Sequence, residues 1–177
     1  MARHQLDPEC IAAHLDHLYR AAWALCGSRD EAEDLVQETC ARVLARPRSL
    51  RSDDPLGYLL RALRNTLAAR RRAAGRSPRT VSLAHVVVEP ADRGAASRPD
   101  ELAQVHEAFA AIAALPTELR EALVAVDVVG LSYAEAGRLL GAKESTITTR
   151  LFRARGRVAE RLAAPEQDRR SAAGAAR

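Results

Sequence analysis

Three groups of residues have types and spacings that could do chemistry. Cys10, His14 and His17 recur at intervals of four and three, which sets them on one face of a helix and could hold a metal ion. No acid or cysteine clearly completes that set, although Cys26 or Asp7 could be recruited. The three read as surface histidines beside a half-buried thiol, with no metal and no cofactor expected. The second group is a basic block: Arg42 to Arg79 holds eleven arginines against Asp53 and Asp54, net +9. It follows an acidic stretch, Arg29 to Glu38, with one arginine against five acids, net −4. A basic block suits a polyanion and an acidic one suits a basic protein surface, unless both are solvated helix faces. The third group is AKESTITTRLFRARGR, Ala142 to Arg157, where threonines precede closely spaced arginines and Phe152 sits among them.

Signatures of catalysis are missing from this sequence. It has no glycine-rich phosphate loop, no His-Glu metal motif and no paired carboxylates placed for acid–base work. Its acidic pairs fall at helix starts, where they suit the helix dipole. The chain is therefore not expected to be an enzyme. No apolar run approaches the roughly 20 residues of a membrane helix, and MARHQLDPEC has no apolar core for a signal peptide. Three scattered cysteines do not make a disulfide framework. A cytoplasmic, soluble protein without membrane insertion is expected.

The elements that must position these groups are helices. Aromatic residues make up 3% of the 177, so a core must be built from Leu, Ala and Val, and Ala and Leu favour helix over sheet. The fold class is all-α, with two small helical domains joined by a flexible linker. Apolar spacing predicts helices over 11–25, 29–45 and 56–73, with Ser28 and Glu31 as a capping box for the second. The second would turn Ala32, Leu35, Val36, Cys40, Val43 and Leu44 inward, and a loop over 46–55 carries Arg46, Arg48 and Arg51. These make a first domain at 8–74. Residues 75–101 form a linker of scattered Pro, Gly and charge, in which Val86 to Val88 could be a short extended or docked piece. As a coil it would span roughly 25 to 30 Å r.m.s. and about 90 Å at full stretch. A second domain at 102–163 has helices at 101–115, 118–129 and 132–140, the last opened by a Ser132–Glu135 capping box, and then the quoted stretch. Residues 164–177 are expected to be a disordered tail.

A short capped helix, a glycine turn and a following helix form a helix-turn-helix, whose second helix lies in the DNA major groove. With residues placed at 100° per step, Leu151, Ala154, Val158 and Leu162 fall within about 60° of Ile147 and form a core stripe. Ser145, Thr148, Thr149, Phe152, Arg153 and Gly156 fall on the other side, between about 100° and 240°. A phenylalanine facing away from the core needs a partner, and a thymine methyl is one; threonines and Arg153 can reach base edges or phosphates. Arg150 and Arg157, on the flanks, suit phosphates. The bland alternative is a surface helix with Phe152 packed on a neighbour.

EAEDLVQET (Glu31 to Thr39), YLLRALRN (Tyr58 to Asn65), LPTELREAL, LSYAEAGRLLGA and STITTRLFRAR together resemble the extracytoplasmic-function sigma factors of bacterial RNA polymerase, over about 8–74 and 102–162. The resemblance implies that the first domain docks on the clamp helices of the polymerase through Asp34, Leu35, Gln37 and Glu38, and opens the minus-ten promoter element. Arg46, Arg48, Arg51, Tyr58, Arg61, Arg64, Asn65, Arg70, Arg71 and Arg72 would hold the melted strand. It implies that the second domain sits on the polymerase flap and reads the minus-thirty-five element with Ser145, Thr148, Thr149, Arg150, Phe152, Arg153, Arg155 and Arg157. Implied partners are core RNA polymerase, promoter DNA and, in many members, an anti-sigma factor. Tyr58 stands where the family usually has tryptophan, and Thr148 where a basic residue is frequent, so the promoter sequence does not carry over. The competing reading is a self-sufficient helix-turn-helix repressor or activator, which would have no need of DLVQE followed by a basic third helix.

Overall fold

The computed structural model describes residues 4–5, 8–45, 49–50, 54–74 and 99–175, with side chains over 8–45, 54–74 and 102–163. Arg46, Arg48, Arg51 and the Val86 to Val88 stretch lie outside those residues. Among the described residues eight α-helices follow one another: α1 (Pro8–Ala12), α2 (Leu15–Cys26), α3 (Arg29–Leu44), α4 (Pro55–Ala74), α5 (Pro99–Ala113), α6 (Thr117–Leu123), α7 (Tyr133–Leu140) and α8 (Glu144–Ala175). Among the described residues, extended backbone is confined to a two-residue antiparallel ladder, His4–Gln5 with Ser49–Leu50, which the all-helical expectation does not include.

Local chemistry explains most of the boundaries. α2 ends on Gly27 at φ +83°, a left-handed turn that favours glycine, and α3 starts where Ser28 Oγ accepts from the Glu31 amide. The single helix expected over 11–25 is broken at Ala13 and His14; Ile11 and Leu18 are buried, while Leu15 between them is exposed. In α3, Leu44 is exposed rather than inward, and Thr39 takes a buried place, its hydroxyl satisfied by the Leu35 carbonyl at 2.7 Å.

The last four helices depart from expectation twice. The helix expected to run through Val129 opens into a π turn over Val124–Val128, where the Val129 amide donates to the Val124 carbonyl. Val124, Val126, Val128 and Val129 are β-branched and crowd an α-helix, so a wider turn here has a physical cause. The second departure is the expected disordered tail at 164–177, because α8 continues through Pro165 to Ala175. Alanine, glutamate, glutamine and arginine all favour helix, and the packed start of α8 has already met the cost of nucleation.

The two sets of helices share one core. Ala21, Ala22, Trp23, Ala24 and Leu25 are five successive buried residues, so the C-terminal turns of α2 are covered on every side. α3 and α4 cover part of it, and α5 and the π turn cover the rest. Trp23 stacks on Phe109 with ring centroids 4.2 Å apart and planes within 1°, His106 meets its edge region at 4.9 Å, and the Arg29 guanidinium lies 4.4 Å from the indole centroid. At Gly27 a Cβ would stand 2.8 Å from Ala113 Cβ, so the turn after α2 admits only glycine against α5.

Candidate nucleic-acid interface

The second half builds a helix-turn-helix. Ser132 and Glu135 cap α7 reciprocally, and the hydrogen bonds from Ser132 hold the Glu135 carboxyl below its usual range. Gly141, at φ +66°, ends α7, and a Cβ on Gly137 would stand 2.7 Å from the Ala142 carbonyl oxygen. The turn is therefore tight enough to pin α8 across α7. Ile147, Leu151 and Ala154 are buried and fix which face of α8 points inward.

The opposite face is open. Phe152 is 81% exposed, the most exposed large apolar side chain among the described residues, and Ser145, Thr148, Thr149, Arg153 and Arg157 are exposed beside it. Thr148 and Thr149 donate their hydroxyls to the carbonyls of Glu144 and Ser145, each at 3.0 Å. That back-bonding engages both hydroxyls within α8 itself. Two arginines of the expected set are engaged elsewhere. Arg150 Nη2 pairs with Glu118 at 2.8 Å, and Arg155 is bidentate to Asp127 at 2.9 and 2.7 Å. Those hydrogen bonds, with a smaller contribution from Tyr133, raise the Arg155 pKa.

In the first half the residues separate into exposed and engaged sets. Asp34 and Gln37 are exposed on α3, and Glu38 is half-buried between Arg42 and Arg70, whose hydrogen bond to it is the chief reason its carboxyl is held below the usual range. Leu35, expected among the polymerase contacts, is wholly buried and shapes the α3 face from beneath. Asn65 and Arg72 are exposed and Tyr58 is half-buried against the core. Arg70 also donates to the Asp34 carbonyl at 2.8 Å, and Arg71 to the Leu25 carbonyl at 3.2 Å.

Arg61 and Arg64 reach the other half of the molecule. Arg64 pairs with Glu121 at 3.1 Å and donates to the Leu139 carbonyl at 3.3 Å, while Arg61 donates to the Arg138 carbonyl at 3.4 Å. Arg120 returns the contact, donating at 2.8 Å to the Leu25 carbonyl at the C-terminal end of α2, and burial followed by the Arg71 charge lowers its pKa. Two of the arginines expected on melted DNA are thus held by the second half.

Sequence reasoning missed Trp23, Phe109, Arg120, Glu121 and Asp127. The run AAWALC, apolar around the whole helix, is the signal that a second cover was needed. Among the described residues no three His, Cys, Asp or Glu side chains converge as a metal site, and no helix is long and apolar enough to cross a membrane.

Residues 10–77 match the Sigma-70 region 2 family and residues 106–158 match Sigma-70, region 4. The chain is 35% identical over 159 residues to the ECF RNA polymerase sigma factor EcfG of Rhodopseudomonas palustris (strain TIE-1), covering 86% of this chain and 82% of that one. This chain is an ECF sigma factor. It is also 34% identical over 161 residues to the ECF RNA polymerase sigma factor SigE of Mycolicibacterium smegmatis, spanning 88% of this chain and 61% of that relative's length. Among solved structures, the sigma factor RpoE of Bartonella quintana, in complex with the anti-sigma factor NepR, matches at TM-score 0.66 and 30% identity, covering 87% of this chain and 92% of that one. The sigma factor thus carries regions 2 and 4 in family order, packed on one another.

Proposed function

We propose that this sigma factor binds core RNA polymerase in the cytoplasm and directs it to promoters, region 2 acting on the minus-ten element and region 4 on the minus-thirty-five element. The polymerase carries out the chemistry. The observation that carries the reading is the open face of α8, where Phe152, Thr148, Thr149 and Arg153 are exposed on a helix whose opposite side is locked into the core. An apolar surface with one guanidinium suits thymine methyls and a guanine edge. Asp34 and Gln37, exposed on α3, supply a polar face for the polymerase clamp.

Function on a promoter requires the two halves to part. Promoter elements 25 base pairs apart are separated by roughly 85 Å at 3.4 Å per pair. A compact chain of this length has a radius of gyration of about 16 Å. Residues 75–98 at full stretch reach about 80 Å, enough to place the halves on separate elements. Parting would free Arg61 and Arg64 for the DNA backbone. An anti-sigma partner is proposed on the same footing, since the Bartonella quintana sigma factor was solved with one.

Run-off transcription with core polymerase and mapping of start sites tests the reading. The chain should give discrete starts that core alone does not, and Asp34→Ala or Gln37→Ala should weaken co-purification with core. A chain that dimerises and binds a palindromic duplex without polymerase would favour the repressor reading instead.

A further inference from the structure

The outward face of α8 reads DNA usefully only if the helix is held at a fixed roll, and two arginines lie where a tether would act. At 100° per residue the buried stripe of Ile147, Leu151, Ala154 and Val158 centres near 10°, with Arg155 about 70° to one side and Arg150 about 70° to the other. Each is bound by an acid on the helix that crosses beneath α8. Arg150 pairs with Glu118 on α6, and Arg155 pairs with Asp127 in the π turn that continues α6. The two pairs are unequal. Glu118 is 74% exposed and meets one guanidinium nitrogen, whereas Asp127 is 31% exposed and takes both Nε and Nη2 of Arg155. A bidentate fork fixes orientation as well as distance.

We infer that Asp127 is a positioning residue for minus-thirty-five recognition: the buried stripe fixes which face of α8 points inward, and the grip of Asp127 on Arg155 trims the remaining roll so that Thr148, Thr149, Phe152 and Arg153 face the groove. Arg155 is then part of the tether and not a base or phosphate contact. The π turn has a role in this arrangement, since it lies where Asp127 meets Arg155 and such turns recur at functional positions. Solvent-exposed ion pairs contribute little to folding stability. The consequence of losing this one falls on recognition.

The inference rests on the sigma reading, and its test separates the two. Holoenzyme made with the full chain is assayed for run-off transcripts from promoters that differ by single bases in the minus-thirty-five element. Specific transcription by the unaltered chain upholds the sigma reading; its absence would sink that reading, and the tether with it. Asp127→Ala should reduce discrimination between the promoters by about tenfold, comparable to one lost bidentate contact, while co-purification with core and the thermal midpoint stay unchanged. Arg155→Lys keeps the charge without the fork and should lose discrimination too, whereas the swapped pair Asp127→Arg with Arg155→Asp should recover it. If Arg155 instead touches DNA, Asp127→Ala will leave discrimination intact or strengthen promoter binding, and the swap will not rescue. Either of those results overturns the proposal.

Discussion

The two halves of this sigma factor treat their arginines differently. In region 2, Arg61, Arg64, Arg70 and Arg71 all donate to protein carbonyls or carboxylates, two of them across to region 4. In region 4, Arg150 and Arg155 are tied down, but Arg153 forms no ion pair with any described residue and stands beside an open phenylalanine. The difference is one of readiness. The surface proposed for the minus-thirty-five element is open in the closed molecule, while part of the surface proposed for the minus-ten element is covered by the other half. A charged block read from sequence therefore gives the capacity to bind a polyanion, and packing decides when that capacity is available.

The largest effect that can break the comparison lies in its two exceptional aromatic residues. Trp23→Ala empties the joint core and should destabilise the fold by about 3–5 kcal/mol in chemical denaturation. Phe152→Ala removes a ring that touches solvent and should change stability by less than about 0.5 kcal/mol, while altering minus-thirty-five preference in transcription. Equal stability losses would mean that Phe152 packs in solution and that the two halves are not distinct.

A smaller effect is expected from pH. Burial, and secondarily the Arg29 charge, hold His106 below the ordinary histidine range in the closed form. Released from Trp23 it would return towards about 6.5. The open form then binds protons more readily, so closure is at full strength above the ordinary histidine pKa and weakens as pH falls below it towards the closed-state value. Trp23 is the single tryptophan and sits at the joint, so its emission should report the change. His106→Gln should flatten that pH dependence; an identical profile in the variant would assign it to another group.

Much of this arrangement was legible in the sequence because it rests on local rules. Ser28 and Ser132 mark helix starts, Gly141 marks the helix-turn-helix turn, and the spacing of Ile147, Leu151 and Ala154 selects the outward face without any tertiary information. What stayed hidden depends on residues distant in the chain. Nothing local tells Arg64 that Glu121 is its partner, or Trp23 that Phe109 will stack on it, because those pairings arise only when the halves close. Leu35 shows the same limit in reverse: a motif position inherited as a contact is wholly buried once α3 is packed. The π turn and the helical continuation of α8 turn on crowding among valines and on helix propagation, which periodicity does not register.

The central claim is that the closed molecule, in which one of the two proposed DNA surfaces is partly covered, opens to place regions 2 and 4 on separate promoter elements. Its most direct test is a distance between a label on α3 and a label on α8, measured for the free chain, for the holoenzyme and for the holoenzyme on an active promoter. The account predicts a short distance in the free chain and a separation several times larger on the promoter. A distance that stays short while specific transcripts are made would contradict it.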